Sequence, residues 1–290
     1  MSAITFVVHV GEGFQQEYDR YFQSSPLFAG DHGFQIIIQR GFSTAGSAFN
    51  EAIEKSVNDV IVVSHLDVVF PAMWAQRFLG KLTELEASCS KVGVVGCIGM
   101  TPDGQPAGHV YRHDREFFPH TPLPAQVETL DGLLVCLRKS SGLRFDPALP
   151  SFFVHAIDLC LQASQAGLIN FAVDAPCFHQ GKNKQGLKPR ESFTSLVSLV
   201  EKWKHTLPVR ELSGPICGKP SYARHWLKKK LSHLLGYSPT PWWKDLPRID
   251  PQEILYEGLP GAAGGKAACR TPRKVLRSQI NGHRPDEIKR

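Results

Sequence analysis

The sequence predicts an α/β fold: a mostly parallel, doubly wound sheet with flanking helices, followed by a helical C-terminal extension. Three observations lead there. Short runs rich in Val, Ile and Phe alternate with segments of helical period through the first two thirds of the 290 residues. Hydrophobic residues make up 42% of the chain, enough for one substantial core. Polar side chains stand where apolar runs stop, as in VIVVSHLDVVFPAMW at 60–74, and open α/β sheets bind ligands beyond the carboxyl ends of their strands.

The elements follow in order. AITFVVHV (3–10) and FQIIIQR (34–40) read as buried strands, with EYDRYFQSS (17–25) as a helix between them. In STAGSAFNEAIEKSVND (43–59), Ser43 or Thr44 caps a helix whose Ala48, Ala52, Ile53 and Val57 share a face. DVIVVSH (59–65) is the third strand, and Pro71 opens the next helix, in which Trp74, Phe78, Leu79, Leu82 and Leu85 keep a helical period. KVGVVGCIGM (91–100) is a fourth strand. Residues 101–125, rich in Pro, His and Gly, read as a long loop over a site. VETLDGLLVCLRKS (127–140) is a strand interrupted at Asp131. FFVHAIDLCLQASQAG (152–167) is a helix ending on a glycine cap, LINFAVDAPCFH (168–179) a last strand, and 191–207 a further helix. Together these divide the chain into an α/β domain at 1–190, a helical extension at 191–257 and a disordered basic tail at 258–290.

Composition excludes several classes. The net charge of +6 is concentrated in the tail from Arg270, so it does not call for nucleic acid. Seven cysteines are scattered without a CxxC pair, mostly in apolar runs, which points to a reducing compartment. No stretch approaches the roughly 18 apolar residues of a membrane span, and the N-terminus lacks a basic n-region, so a cytoplasmic protein is expected. The turn HVGEGFQQE lacks the GxGxxG spacing of dinucleotide enzymes.

Four polar positions interrupt apolar runs: His65 with Asp67, Asp131, Asp158 and His179. A carboxylate and an imidazole at adjacent strand ends make half a shell for a divalent cation, completed by phosphate oxygens and water. Taken singly, Asp67 reads equally well as a loop carboxylate bonded to backbone amides, and His179 as a structural histidine. Asp158, with His155 one turn before it, is a candidate proton acceptor from a hydroxyl, or else one of two neighbours on a helix surface.

The ordered set SAFNEAI, HLDVVFPAMW, KVGVVGCIG, VETLDGLLVCLRK, LRFDPALPSFFVHAIDLCLQASQAGL and VDAPCFH resembles family 2 glycosyltransferases with the GT-A fold, in particular the streptomycin-biosynthesis-type subfamily, over roughly residues 1–182. The resemblance implies that HLDV is a variant Asp-x-Asp motif with His65 in the first place, and that Asp67 meets the metal and the donor diphosphate. It implies that His179 is a further metal ligand, that Asp158 is the base of an inverting reaction, and that Asp131 borders donor sugar and acceptor. Asn50 would lie beneath the nucleotide pocket. Where relatives carry an acid after the second strand, this chain has Gln39 and Arg40; where Glu is common before the base, it has Ile157.

The implied activity is transfer of a sugar from a nucleotide diphosphate sugar to an acceptor hydroxyl with Mn or Mg. The contrasting expectation is a silent sugar-nucleotide or glycan-binding module of the same fold. Lids are expected at 101–125 and 180–190, with Lys182, Lys184 and Lys188 placed to meet phosphate. The acceptor is a glycan, a lipid-linked molecule or a small molecule. In YARHWLKKKLSHLLGY (222–237), Trp226, Leu227, Leu231, Leu234 and Leu235 lie opposite a basic face, a pattern that suits either peripheral contact with the inner membrane surface or packing on the domain.

Overall fold

The computed structural model describes residues 4–30, 33–118, 121–181, 189–218, 246 and 248–257. The central sheet has seven strands in the order β10-β13-β5-β12-β3-β1-β2. They span β1 Ile4–His9, β2 Gln35–Gln39, β3 Val60–Ser64, β5 Val92–Gly96, β10 Ala125–Val127, β12 Leu134–Arg138 and β13 Ile169–Ala172. β1 runs parallel to β2 and β3, and β13 parallel to β5, while β12 runs against both β3 and β5 and the edge strand β10 against β13. The α/β class is thus seen as a mixed sheet.

Side-chain alternation along the strands divides the core into two layers. Ile4, Phe6 and Val8 of β1, Val60 and Val62 of β3 and Leu134 and Cys136 of β12 point to one face. They meet α3 (Trp74–Ser88) through Trp74, Phe78, Leu82 and Leu85, together with Tyr18 of the short α1 (Gln15–Tyr18). Val7, Ile61, Val63, Val135 and Leu137 point the other way, to α2 (Ala45–Lys55) and α4 (His155–Gln165). Three layers follow directly from period-two strands placed between helices with one apolar stripe each.

Several elements differ from expectation for local reasons. Residues 17–25 form α1 and then a π turn over Asp19–Gln23 rather than one helix. Thr44 is the cap of α2, its Oγ1 accepting from Ser47 N at 3.2 Å, and Val57 lies past the helix end, 80% exposed. The expected loop at 101–125 largely pairs as β7 Pro106–Gly108, β8 Val110–Arg112 and β9 Arg115–Phe117, because Val110, Tyr111 and Phe117 are buried apolar anchors. The strand at 127–140 breaks into β11 Thr129–Leu130 and β12, since Asp131 Oδ1 turns back to accept from Leu133 N at 2.8 Å. The strand at 168–179 breaks into β13 and β14 Phe178–His179.

Two later helices pack back onto this body. α5 (Pro189–Lys202) places Leu196, Leu199 and Val200, with Trp203 beyond its end, against Leu149, Val154 and Leu161. α6 (Pro251–Leu255) buries Leu255 beside Tyr21, Val69, Tyr111 and Phe178. The basic helix expected at 222–237 and the tail at 258–290 lie outside the described residues. No helix among the described residues is long and apolar enough to cross a membrane.

Candidate metal and donor site

The site forms where β3 ends. His65 N donates to Leu133 O at 3.0 Å, and Leu66 and Asp67 turn the chain into β4 (Val68–Val69). β4 pairs antiparallel with β14, so that His179 stands opposite Val68, one residue beyond Asp67, and Gln180 N donates to Asp67 O at 2.9 Å. A backbone ladder thereby brings together two residues separated by more than a hundred positions. His179 Nε2 lies 3.3 Å from Asp67 Oδ2, and His65 Nδ1 3.8 Å from Asp67 Oδ1. One ligand atom from each of the three lies within 4.8 Å of the others.

The electrostatics suit a cation. Burial pushes the Asp67 carboxyl up, but the hydrogen bond from His179 and the charges of His179 and His65 outweigh it and hold it at about 2. The His65 imidazole is lowered, first by desolvation and against the pull of Asp67, so its lone pair is free for a metal. Two imidazole nitrogens and one carboxylate form a set that a borderline divalent ion such as Mn(II) accepts with positions left open, and the three residues present fit such an ion. Gly181 completes the shape: a Cβ built on it would stand 1.8 Å from Asp67 Oδ2 and 3.2 Å from His179 Nε2. Only a residue without a side chain lets the carboxylate sit there.

Beside the trio opens a cleft of about 390 Å³. Its aromatic wall includes Phe14, Tyr21, Phe49 and Phe152, and the His9 ring at the end of β1 stacks on Phe152 at 3.9 Å with planes 18° apart. Arg112, beside His179 in the β14–β8 register, is close enough to Asp67 and Asp131 to feel both charges. Asp131 sits in the turn next to this cleft, near His65 and His155.

Two expected site residues are elsewhere. Asn50 does not line the cleft: its amide is consumed by Phe145, Nδ2 donating to Phe145 O at 2.8 Å and Oδ1 accepting from Phe145 N at 2.9 Å. Asp158, one turn after His155 on α4, is fully buried and does not line the cleft. Its carboxylate accepts from Trp203 Nε1 and Gln162 Nε2, each at 2.7 Å, and pairs with Lys202 Nζ at 2.7 Å. The expected base is therefore a structural residue that ties α5 to α4. Gln39 likewise spends its amide on Ala48 O at 2.6 Å, and Arg40 reaches outward to Gln15. The lysines 182, 184 and 188 lie outside the described residues.

Sequence reasoning named His155 only as a neighbour of Asp158 and did not single out Gly132 or Gly181. His155, the first residue of α4, lines the cleft and is 6% exposed. Its Nδ1 donates to Phe152 O at 2.7 Å, and burial lowers its pKa to about 4. The signal available was its position three residues before Asp158 at the start of the same helix.

Residues 12–147, just under half of the chain, match the family model described as Glycosyl transferase family 2. No curated protein sequence matches the chain. Among solved structures, GalNAc-T7 with UDP, GalNAc and Mn2+ superposes with a TM-score of 0.51 at 13% identity, covering 70% of this chain and 48% of that one. The mannosyltransferase PcManGT from Pyrobaculum calidifontis, in complex with GDP-Man and Mn2+, gives 0.43 at 11% identity over 70% of this chain and 64% of its own. S. aureus TarS 1-349 gives 0.44 at 8% identity over 69% and 65%. The chain spans less than two thirds of each of these solved chains. The likeness to GalNAc-T7 is one of fold: a GT-A-type mixed sheet flanked by helices.

Proposed function

We propose that the chain is an inverting, divalent-metal-dependent glycosyltransferase that moves a sugar, hexose-like in size, from a nucleotide diphosphate sugar to an acceptor hydroxyl. The observation that carries this is the convergence of His65, Asp67 and His179 at the mouth of an aromatic cleft, on strand ends of a chain whose residues 12–147 match family 2. The HLDV motif supports a place in the streptomycin-biosynthesis-type group within this proposal. The complexes of GalNAc-T7 and PcManGT with Mn2+ and nucleotide or nucleotide sugar are in keeping with the reading, without bearing on which donor is used here.

His65, Asp67 and His179 would hold the ion, and the two imidazoles favour Mn over Mg. A bound divalent cation neutralises the negative charge that grows on the departing diphosphate. Arg112 adds positive charge to the same side, and the stacked His9–Phe152 pair offers a flat face to a nucleobase. Asp131 caps its own turn through Leu133 N, which holds the loop between β11 and β12 against the place where sugar and acceptor would meet. The acceptor is the hydroxyl of a glycan, a lipid-linked molecule or a small molecule. Peripheral contact with the inner face of a membrane falls to 222–237 in this proposal. We keep residues 1–190 as the catalytic unit and 191–257 as its extension, which α5 and α6 fasten to it.

A second reading, a sugar-nucleotide-binding module without turnover, is favoured by one observation: Asp158 is withdrawn from the cleft. Calorimetric titration of UDP- and GDP-hexoses with Mn(II), followed by an assay for released nucleotide diphosphate, separates the two. Tight binding with release supports the transferase, binding without release supports the module, and absence of binding by any donor refutes both.

A further inference from the structure

We infer that His155, through Nε2, takes the proton of the attacking hydroxyl in the sugar transfer proposed above. The inference rests on that reading of the cleft but adds a residue that the family pattern did not supply. A displacement at the anomeric carbon by a neutral hydroxyl needs a proton acceptor in contact with it, and the carboxylate expected to serve is buried and locked to Trp203 and Lys202.

His155 has the attributes that role requires. Its Nδ1 faces a carbonyl, which can only accept, so the ring proton resides on Nδ1 and the lone pair on Nε2. That Nε2 is buried and has no hydrogen-bond partner among the described residues. A buried acceptor without a partner carries a desolvation cost, and here the atom belongs to a side chain lining the cleft. His155 and His65 meet at the same glycine: a Cβ built on Gly132 would lie 3.0 Å from His155 Cε1, 3.4 Å from His155 Nε2 and 3.7 Å from His65 Nε2, so the two rings are near neighbours. Phe49 and Phe145 flank the ring at 5.4 and 5.8 Å between centroids and hold its plane.

The step balances. The acceptor oxygen bonds to the anomeric carbon as the bond from that carbon to the diphosphate oxygen breaks, and the bonding pair leaves with the diphosphate. The acceptor proton passes to Nε2, and the resulting imidazolium keeps Nδ1–H on Phe152 O and is later relieved of its proton by water.

Hydrolysis of UDP- and GDP-hexoses with Mn(II), water standing in for the acceptor, tests this in the full-length chain with His155→Asn, whose amide still reaches Phe152 O but has no basic nitrogen. Should that variant melt early, His155→Gln takes its place. The expected result is a loss of roughly 100-fold or more in turnover, with donor affinity within about threefold of the parent. Sodium azide, a nucleophile with no proton to lose, should restore turnover and yield the inverted glycosyl azide. Turnover within about threefold of the parent, or loss that azide does not rescue, overturns the base role and leaves the transferase reading intact. A parent protein that binds donor yet releases nothing, even to azide, also overturns it. A parent that binds no donor brings down the transferase reading itself.

Discussion

The indole N–H of Trp203 donates to Asp158 Oδ1 at 2.7 Å in a site sealed from solvent, with Lys202 Nζ at the same distance from the same oxygen. Removing the carboxylate leaves the indole N–H and the Gln162 amide without their acceptor, while Lys202 keeps Asp146 Oδ2 at 2.6 Å. Asp158→Ala is therefore expected to lose about 1–3 kcal/mol of stability in urea unfolding, while turnover per folded molecule stays near that of the parent. Lost turnover at unchanged stability would restore Asp158 to the chemistry.

Gly181 and Asp67 cannot both keep their places if the glycine gains a methyl group, since the clash at 1.8 Å is far inside van der Waals contact. Gly181→Ala should turn the carboxylate out of the trio and weaken Mn(II) binding by about tenfold or more, with little change in melting of the metal-free protein. Metal titration by calorimetry or electron paramagnetic resonance reads the result. Unchanged affinity would mean that Asp67 is not a ligand.

His155 gives a pH dependence with a definite sign. Its folded pKa of about 4 lies below the 6.5 of the free side chain, so between these values the unfolded chain binds the proton and the folded one does not. Burial sets the direction; the Phe152 carbonyl and Asp131 oppose it, and His65 adds to it. The metal-free protein should lose roughly 3 kcal/mol as pH falls from about 6.5 to about 4 on this account. His155→Asn should flatten that part of the profile. Denaturant midpoints across the range check it, and identical slopes in the two proteins would refute the assignment.

Asn50 clamps the backbone of Phe145 from both sides. Asn50→Ala should cost about 1–3 kcal/mol and leave donor affinity unchanged. A selective loss of donor binding would return Asn50 to the nucleotide pocket.

How far the site was legible follows the range of the interactions that build it. Asp67 and His65 stand out because polar residues ending the all-apolar Val60–Val63 run need a partner, which is a local anomaly. His179 is visible for the same reason at the end of β14. Asp158 shows the same kind of anomaly and misleads, since a carboxylate on an apolar helix looks alike whether it faces a cleft or a buried Trp and Lys from a later helix. The strand at 106–117 was hidden by its Pro, Gly and His content; its pairing depends on β14, about seventy residues on.

The order of the main sheet strands β1, β2, β3, β5, β12 and β13 with α2, α3 and α4 among them, and the halt of β3 on His65 and Asp67, were determined by the sequence alone, because burial pattern and strand or helix period are properties of neighbouring residues. The partner of Asp158 was not. It is decided only when α5 packs down and brings the indole and the lysine onto Asp158, leaving His155, one turn earlier, to line the cleft. A carboxylate and an imidazole three positions apart on one helix give no hint of which will be paired from outside.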